Sequence, residues 1–133
     1  MNKFFSSLFF VFLVWSITGC PSLGKVRTKM PRLFTTSFTM QTGTEPSFMI
    51  AEDFNRDGEK DLVVTNSGGN TLSYFKGKGD GTFKDQIIIQ TGEDPICVVA
   101  ADFNNNGYLD LAVLNYRDQT INIFFNSRYG NFK

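Results

Sequence analysis

Asp53-Phe54-Asn55-Arg56-Asp57-Gly58-Glu59-Lys60-Asp61 returns 49 positions later as Asp102-Phe103-Asn104-Asn105-Asn106-Gly107-Tyr108-Leu109-Asp110. Both stretches carry oxygen side chains at positions 1, 3, 5 and 9, with glycine at 6. A hard cation such as calcium needs this pattern, because it takes several oxygen ligands at short range from a backbone able to turn sharply. The flanks, Ile50-Ala51 and Leu62-Val63-Val64, are short and apolar. Each stretch is therefore expected to be a loop between two strands.

The offset reaches far beyond the loops. Laying Phe34–Lys84 over Phe83–Lys133 gives 19 identities in 51 ungapped positions, among them Gln41-Thr42-Gly43 with Gln90-Thr91-Gly92, Pro46 with Pro95, Asn66 with Asn115 and Phe75 with Phe124. A period of this size marks a supersecondary unit that buries its apolar face against the next copy. The unit reads as strands: short β-branched and aromatic runs alternate with Gly, Asn, Asp and Pro clusters, and no window offers a useful helix. Expected strands are Phe48–Asp53, Asp61–Asn66, Thr71–Lys76 and Phe83–Thr91, then Ile96–Asp102, Asp110–Asn115, Thr120–Asn126 and a stub at Phe132. Ser67-Gly68-Gly69-Asn70 reads as a tight turn and Gly77–Gly81 as a flexible connection. The predicted fold class is all-β, two four-stranded antiparallel blades of the propeller type after an N-terminal signal helix, with repeats at 34–82 and 83–131. Phe34–Gln41 corresponds to a fourth strand without its first three, and the second unit stops before its own fourth strand.

In such a loop positions 1, 3 and 5 give side-chain oxygens, position 7 its backbone carbonyl and position 9 a carboxylate. The candidate ligands are Asp53, Asn55, Asp57, the Glu59 carbonyl and Asp61 at the first site. At the second they are Asp102, Asn104, Asn106, the Tyr108 carbonyl and Asp110. The Glu59 and Tyr108 side chains are then expected to face outward, and Gly58 and Gly107 to adopt positive φ. An EF-hand is excluded, since it requires Glu at position 12, where Val64 and Val113 stand, and helices on both sides. The plainer alternative is a pair of Asx-rich turns with a glycine. Three carboxylates at the first site against two at the second rank the first as the tighter.

The segments Pro46…Ala51–Asn66 and Pro95…Ala100–Asn115 resemble the FG-GAP/VCBS-type repeat. The resemblance covers Phe34–Lys133 and implies propeller blades with calcium clasped between the first two strands, as in integrin head domains and many bacterial surface proteins. A closed propeller needs at least four blades, and only two units are present.

The other end of the chain suggests export. Met1–Lys3 is a short basic start, Phe4–Ile17 an apolar run of fourteen residues broken only by serines, and Ile17-Thr18-Gly19-Cys20 follows. That layout is a signal peptide (1–19) and is too short for a spanning helix. Residues 17–20 resemble a bacterial lipobox, which implies lipidation of Cys20 and a periplasmic or cell-surface membrane anchor. The alternative is an ordinary cleaved signal, with Cys20 incidental or paired to Cys97. Cys97 lies in an apolar run and reads as a small buried hydrophobe. Residues 20–33 read as a linker.

Formal charge is zero, with 13 basic and 13 acidic residues and no basic stripe, so nucleic acid is not an expected partner. The absence of histidine removes the usual general base, and the acids outside the loops lie scattered. The chain is therefore expected to be no enzyme. Two functions are compatible with it. One is a calcium-stabilised surface lipoprotein binding protein or glycan through loops such as Ser67–Asn70, Tyr116–Gln119 and Gly77–Gly81. The other is a truncated or vestigial fragment of a longer propeller with no ligand of its own. The phase of the repeats also suggests a head-to-tail homo-oligomer, a ring of three or four chains in which the early strand caps the open unit of the next.

Overall fold

The computed structural model describes residues 37–133. The signal stretch 1–19, the lipobox at 17–20 with Cys20, the linker 20–33 and residues 34–36 lie outside the described residues.

Seven strands form two antiparallel sheets. Sheet 1 has the order β1-β2-β3-β4, made of β1 (Pro46–Glu52), β2 (Asp61–Asn66), β3 (Thr71–Phe75) and β4 (Ile87–Gln90). Sheet 2 has the order β5-β6-β7, made of β5 (Pro95–Ala101), β6 (Asp110–Asn115) and β7 (Thr120–Phe124). No α-helix occurs among the described residues. Both loops join the first two strands of a sheet, so strands stand where an EF-hand would have helices.

Three expectations are corrected. Sheet 2 has three strands rather than four, its C-terminal stub reduced to one bridge between Asn126 and Phe132. In sheet 1 the fourth strand is shorter than Phe83–Thr91: Lys84 and Asp85 interrupt the apolar run, leaving a bridge from Phe83 to Gly77 and then Ile87–Gln90. Residues 37–42 form no strand, because a lone extended segment has no ladder to join within the described chain.

The period is kept in the backbone even where side chains change. Positive φ recurs at the 49-residue offset in Glu45 and Asp94, Arg56 and Asn105, and Asn70 and Gln119. Gly58 and Gly107 follow at +90° and +86°, as their loop position requires. Ser67–Gly69 winds into one turn of 3-10 helix, which the left-handed Asn70 ends.

The core lies between the sheets. Sheet 1 contributes Val63, Leu72 and Tyr74 with Phe54 from its loop, and sheet 2 contributes Val98, Leu111 and Val113. Burying each such side chain stabilises by roughly 1.5–3 kcal/mol. Register shows which faces meet. Ile50, Val63 and Tyr74 lie in one cross-strand row of sheet 1, and Ala100, Leu111 and Phe124 in one row of sheet 2. Under the 49-residue offset, Val63 corresponds to Ala112 and Leu111 to Leu62, and each of these lies next to its neighbour in the strand and hence on the opposite face. The sheets therefore stack front to back, and each face of the unit has its own role.

Candidate metal centre

The two loops share one hydrogen-bond scaffold. Asp53 ends the run after β1, and its Oδ1 accepts the Asp57 N–H (3.2 Å) while its Oδ2 accepts the Gly58 N–H (3.0 Å). Asn55 Oδ1 accepts the same Asp57 N–H at 2.8 Å, and Asp57 Oδ1 accepts the Glu59 N–H at 2.9 Å. In the second loop Asp102 Oδ1 and Asn104 Oδ1 converge on the Asn106 N–H (3.1 and 3.0 Å). Asp102 Oδ2 takes the Gly107 N–H (2.7 Å), and Asn106 Oδ1 takes the Tyr108 N–H (2.8 Å). Positions 1 and 3 thus bring their oxygens to one point in both loops.

Position 9 behaves differently. Asp61, the first residue of β2, is fully buried, with Oδ2 accepting the Phe54 N–H (3.3 Å) and the Tyr74 hydroxyl (2.8 Å) and Oδ1 the Gly77 N–H (2.9 Å). It ties the loop to the end of β3. Asp110 repeats this toward the N–H groups of Phe103 (3.0 Å) and Asn126 (2.7 Å), but Ile123 stands where Tyr74 stood. This hub was missed in the sequence reading, although the recurring Asp-Leu at the start of each exit strand was a signal for it.

Asp53 and Asn55 fit a hard cation chemically. A carboxylate offers about four lone-pair sites and an amide oxygen two, and the single N–H bonds leave acceptor capacity on Asp53, Asn55 and Asp57. The acids are not gathered beforehand, for among the described residues no three Asp, Glu, Cys or His side chains form a metal-holding group. Asn55, unlike the exposed Asn104, is buried.

The loops also touch each other. The Arg56 guanidinium lies over the Tyr108 ring, 4.7 Å from its centroid, and Tyr108 meets Tyr129 edge-on. Tyr108 therefore does not face freely outward as expected. It is held by a neighbour its own loop does not contain, whereas Glu59 is exposed. Beneath them Asn126, fully buried, donates from Nδ2 to the carbonyls of Phe54 (2.8 Å) and Leu109 (3.1 Å), and its own carbonyl accepts from Asn106 Nδ2 (3.0 Å).

Burial first, then the hydrogen bond to Asp61 and the charges of Asp61, Asp57 and Asp53, push the Tyr74 phenol well above its ordinary range. A group whose pKa is raised on folding supplies stability in full below its unfolded pKa, about 10 for tyrosine, and loses it as pH climbs toward the folded value. Tyr74→Phe, measured by denaturant titration, is expected to be less stable than the parent at pH 7 by about 1.5–3 kcal/mol, since the bond is to a charged acceptor. The deficit should shrink above about pH 10. A deficit that stays constant with pH would exclude this role of Tyr74.

The three loops named as a binding surface separate. Ser67, Gly68 and Asn70 share a polar cavity of about 310 Å³ with Glu45, Glu93, Asp94 and Arg117. Tyr116, Arg117 and Gln119 continue beside it into a wider one with Leu114 and Ile121. Gly77–Gly81 lies at the other end of the sheet, where Gly77 abuts the Lys60 carbonyl and Gly79 the Glu59 side chain.

This loop, closed between two strands and repeated with one scaffold, can be set beside known families. Residues 53–113 match the FG-GAP-like repeat. The match opens on Asp53 and extends past Asp110 into β6, so it contains both loops with the strands between them. It supports an FG-GAP/VCBS-type repeat on the residues that carry the resemblance. No curated protein and no solved structure gives a significant match. The FG-GAP-like repeat accordingly accounts for the recurring loop and its exit strand.

Proposed function

We propose that the chain is an exported, lipid-anchored calcium-binding protein whose sheets are propeller-type blades and whose role is binding at the cell surface rather than catalysis. The observation that carries this reading is the shared scaffold, in which Asp53 with Asn55, and Asp102 with Asn104, bring oxygens to one N–H in each loop. Calcium would be held by Asp53, Asn55, Asp57, the Glu59 carbonyl and Asp61, and by Asp102, Asn104, Asn106, the Tyr108 carbonyl and Asp110. Bound there, the ion supplies cross-linking charge that stiffens each loop. The polar cavity at the opposite end, with Ser67, Asn70 and Arg117 on its wall, supports a binding surface for protein or glycan.

Calorimetric titration of the full chain with calcium tests the reading. Two binding events are expected, the tighter abolished by Asp53→Ala and the weaker by Asp102→Ala, because the first loop has one more carboxylate. Absence of heat in the folded parent would overturn the assignment. For the anchor, labelled fatty acid is expected on the chain in bacterial cells and to vanish with Cys20→Ser. A parent that takes up no label would reduce the N-terminus to an ordinary signal.

A further inference from the structure

We propose that a second copy of this chain docks on the open face of sheet 2, its Phe38–Gln41 segment adding as the fourth strand along β7. The inference concerns assembly and does not rest on the calcium reading. It begins with residues that are equivalent by the repeat but differ in burial. Phe54 is 0% exposed and Phe103, the same residue at the same loop position, is 46% exposed; Leu72 is 0% and Ile121 64%; Tyr74 is 0% and Ile123 41%. In sheet 1 these positions are covered by sheet 2. In sheet 2 they are uncovered among the described residues, yet they have stayed apolar. Even Thr65, buried in sheet 1, is answered in sheet 2 by an exposed Leu114.

What would cover this face can be read from the joint already present. Sheet 1 is covered there by the face bearing Val98, Leu111 and Val113, whose equivalents Met49, Leu62 and Val64 lie on the far side of sheet 1. That far side is itself partly open, with Met49 57% and Ile88 59% exposed. Val64 between them is only 7% exposed, so what is open there is the rim at Met49 and Ile88, and it corresponds to one half of the internal joint as the open face of sheet 2 does to the other. Bringing them together between copies is a heterologous contact that repeats an interface the chain has already formed.

The strand completes the match. Phe38-Thr39-Met40-Gln41 is the repeat equivalent of Ile87-Ile88-Ile89-Gln90, which is β4. It forms no strand here, with Phe38 stacked on Phe83, while the outer edge of β7 pairs with no other strand among the described residues. An unpaired edge beside an apolar face is a template for strand addition. In sheet 1 the register sets Leu72 opposite Ile89 and Tyr74 opposite Ile87. Transposed by the offset, Ile121 faces Met40 and Ile123 faces Phe38 of the second copy. Continued from copy to copy, two to four chains would supply the roughly four to eight blades of a closed ring.

The test uses the full chain with Cys97→Ser, prepared once with Met40→Cys and once with Ile121→Cys, then mixed and mildly oxidised. A disulfide-linked mixed dimer is expected well above the level of the Cys97→Ser background. No such product is expected when Ser127→Cys replaces Ile121→Cys. Light scattering should show a multimer, with Ile121→Asp raising its dissociation constant about 30-fold or more, as loss of a central apolar contact does. Because Ile121 is exposed within the chain, that variant should keep the parent circular dichroism spectrum. A monomer at all concentrations would overturn the proposal, as would a multimer that neither cross-links at this register nor responds to Ile121→Asp.

Discussion

Asp61→Ala is expected to remove a large share of the stability of the fold. The substitution strands three donors at once, the N–H groups of Phe54 and Gly77 and the Tyr74 hydroxyl, all within a region that is fully buried at Asp61, Phe54 and Tyr74. Each buried donor left without a partner costs about 1–3 kcal/mol, so a total of about 2–6 kcal/mol follows even if water reaches one of them. Against a typical domain stability of about 5–15 kcal/mol, that is a large share of the total. Urea denaturation followed by circular dichroism measures it directly. Asp110→Ala should cost less, because only the Phe103 and Asn126 N–H groups depend on it and Phe103 stands in water. Equal losses in the two variants, or an Asp61→Ala that melts like the parent, would contradict the role of Asp61 as hub.

Phe54→Ala should come next in size, at about 3–5 kcal/mol for an aromatic removed from a packed core. Phe54 meets Tyr74 and Phe132 edge-on, with centroids 5.9 and 5.6 Å away, and Tyr74 meets Phe132 at 5.4 Å. The three rings close on one another. Phe103→Ala is the control supplied by the repeat itself, expected to cost much less in dilute solution, about 1 kcal/mol, because nearly half of that residue is exposed. Thermal melts at low protein concentration separate the two. A Phe54→Ala variant no less stable than Phe103→Ala would mean that the rings do not form the core.

Much of this architecture is legible in the sequence. Strand β2 matched its predicted bounds, and β6 did too, because Asp before Leu and Asn at the end punctuate the same apolar run twice. Loop position 6 was legible because only glycine is at ease near +90°. What escaped were contacts that reach beyond a single loop. That Asp61 turns inward depends on Tyr74 and Gly77, thirteen and sixteen positions on, and nothing in a nine-residue window reports them. Tyr108 looked free because its partner, Arg56, belongs to the other loop. Phe34–Gln41 corresponds under the repeat to a fourth strand, yet its described part forms none, since a strand also needs a neighbour.

Asn126 and Phe132 also set a constraint in time. The core of the first repeat is closed by an amide 72 positions away from Phe54 and by a ring further on still. As the chain leaves the ribosome, sheet 1 can pair its strands early, but it stays uncapped until residue 132 has been made. Closing a loop that long is slow and its entropic cost comes before the contacts that repay it. The two repeats are thus coupled kinetically: neither matures alone, and a synthesis pause before residue 126 would leave the first one with its aromatic cluster open.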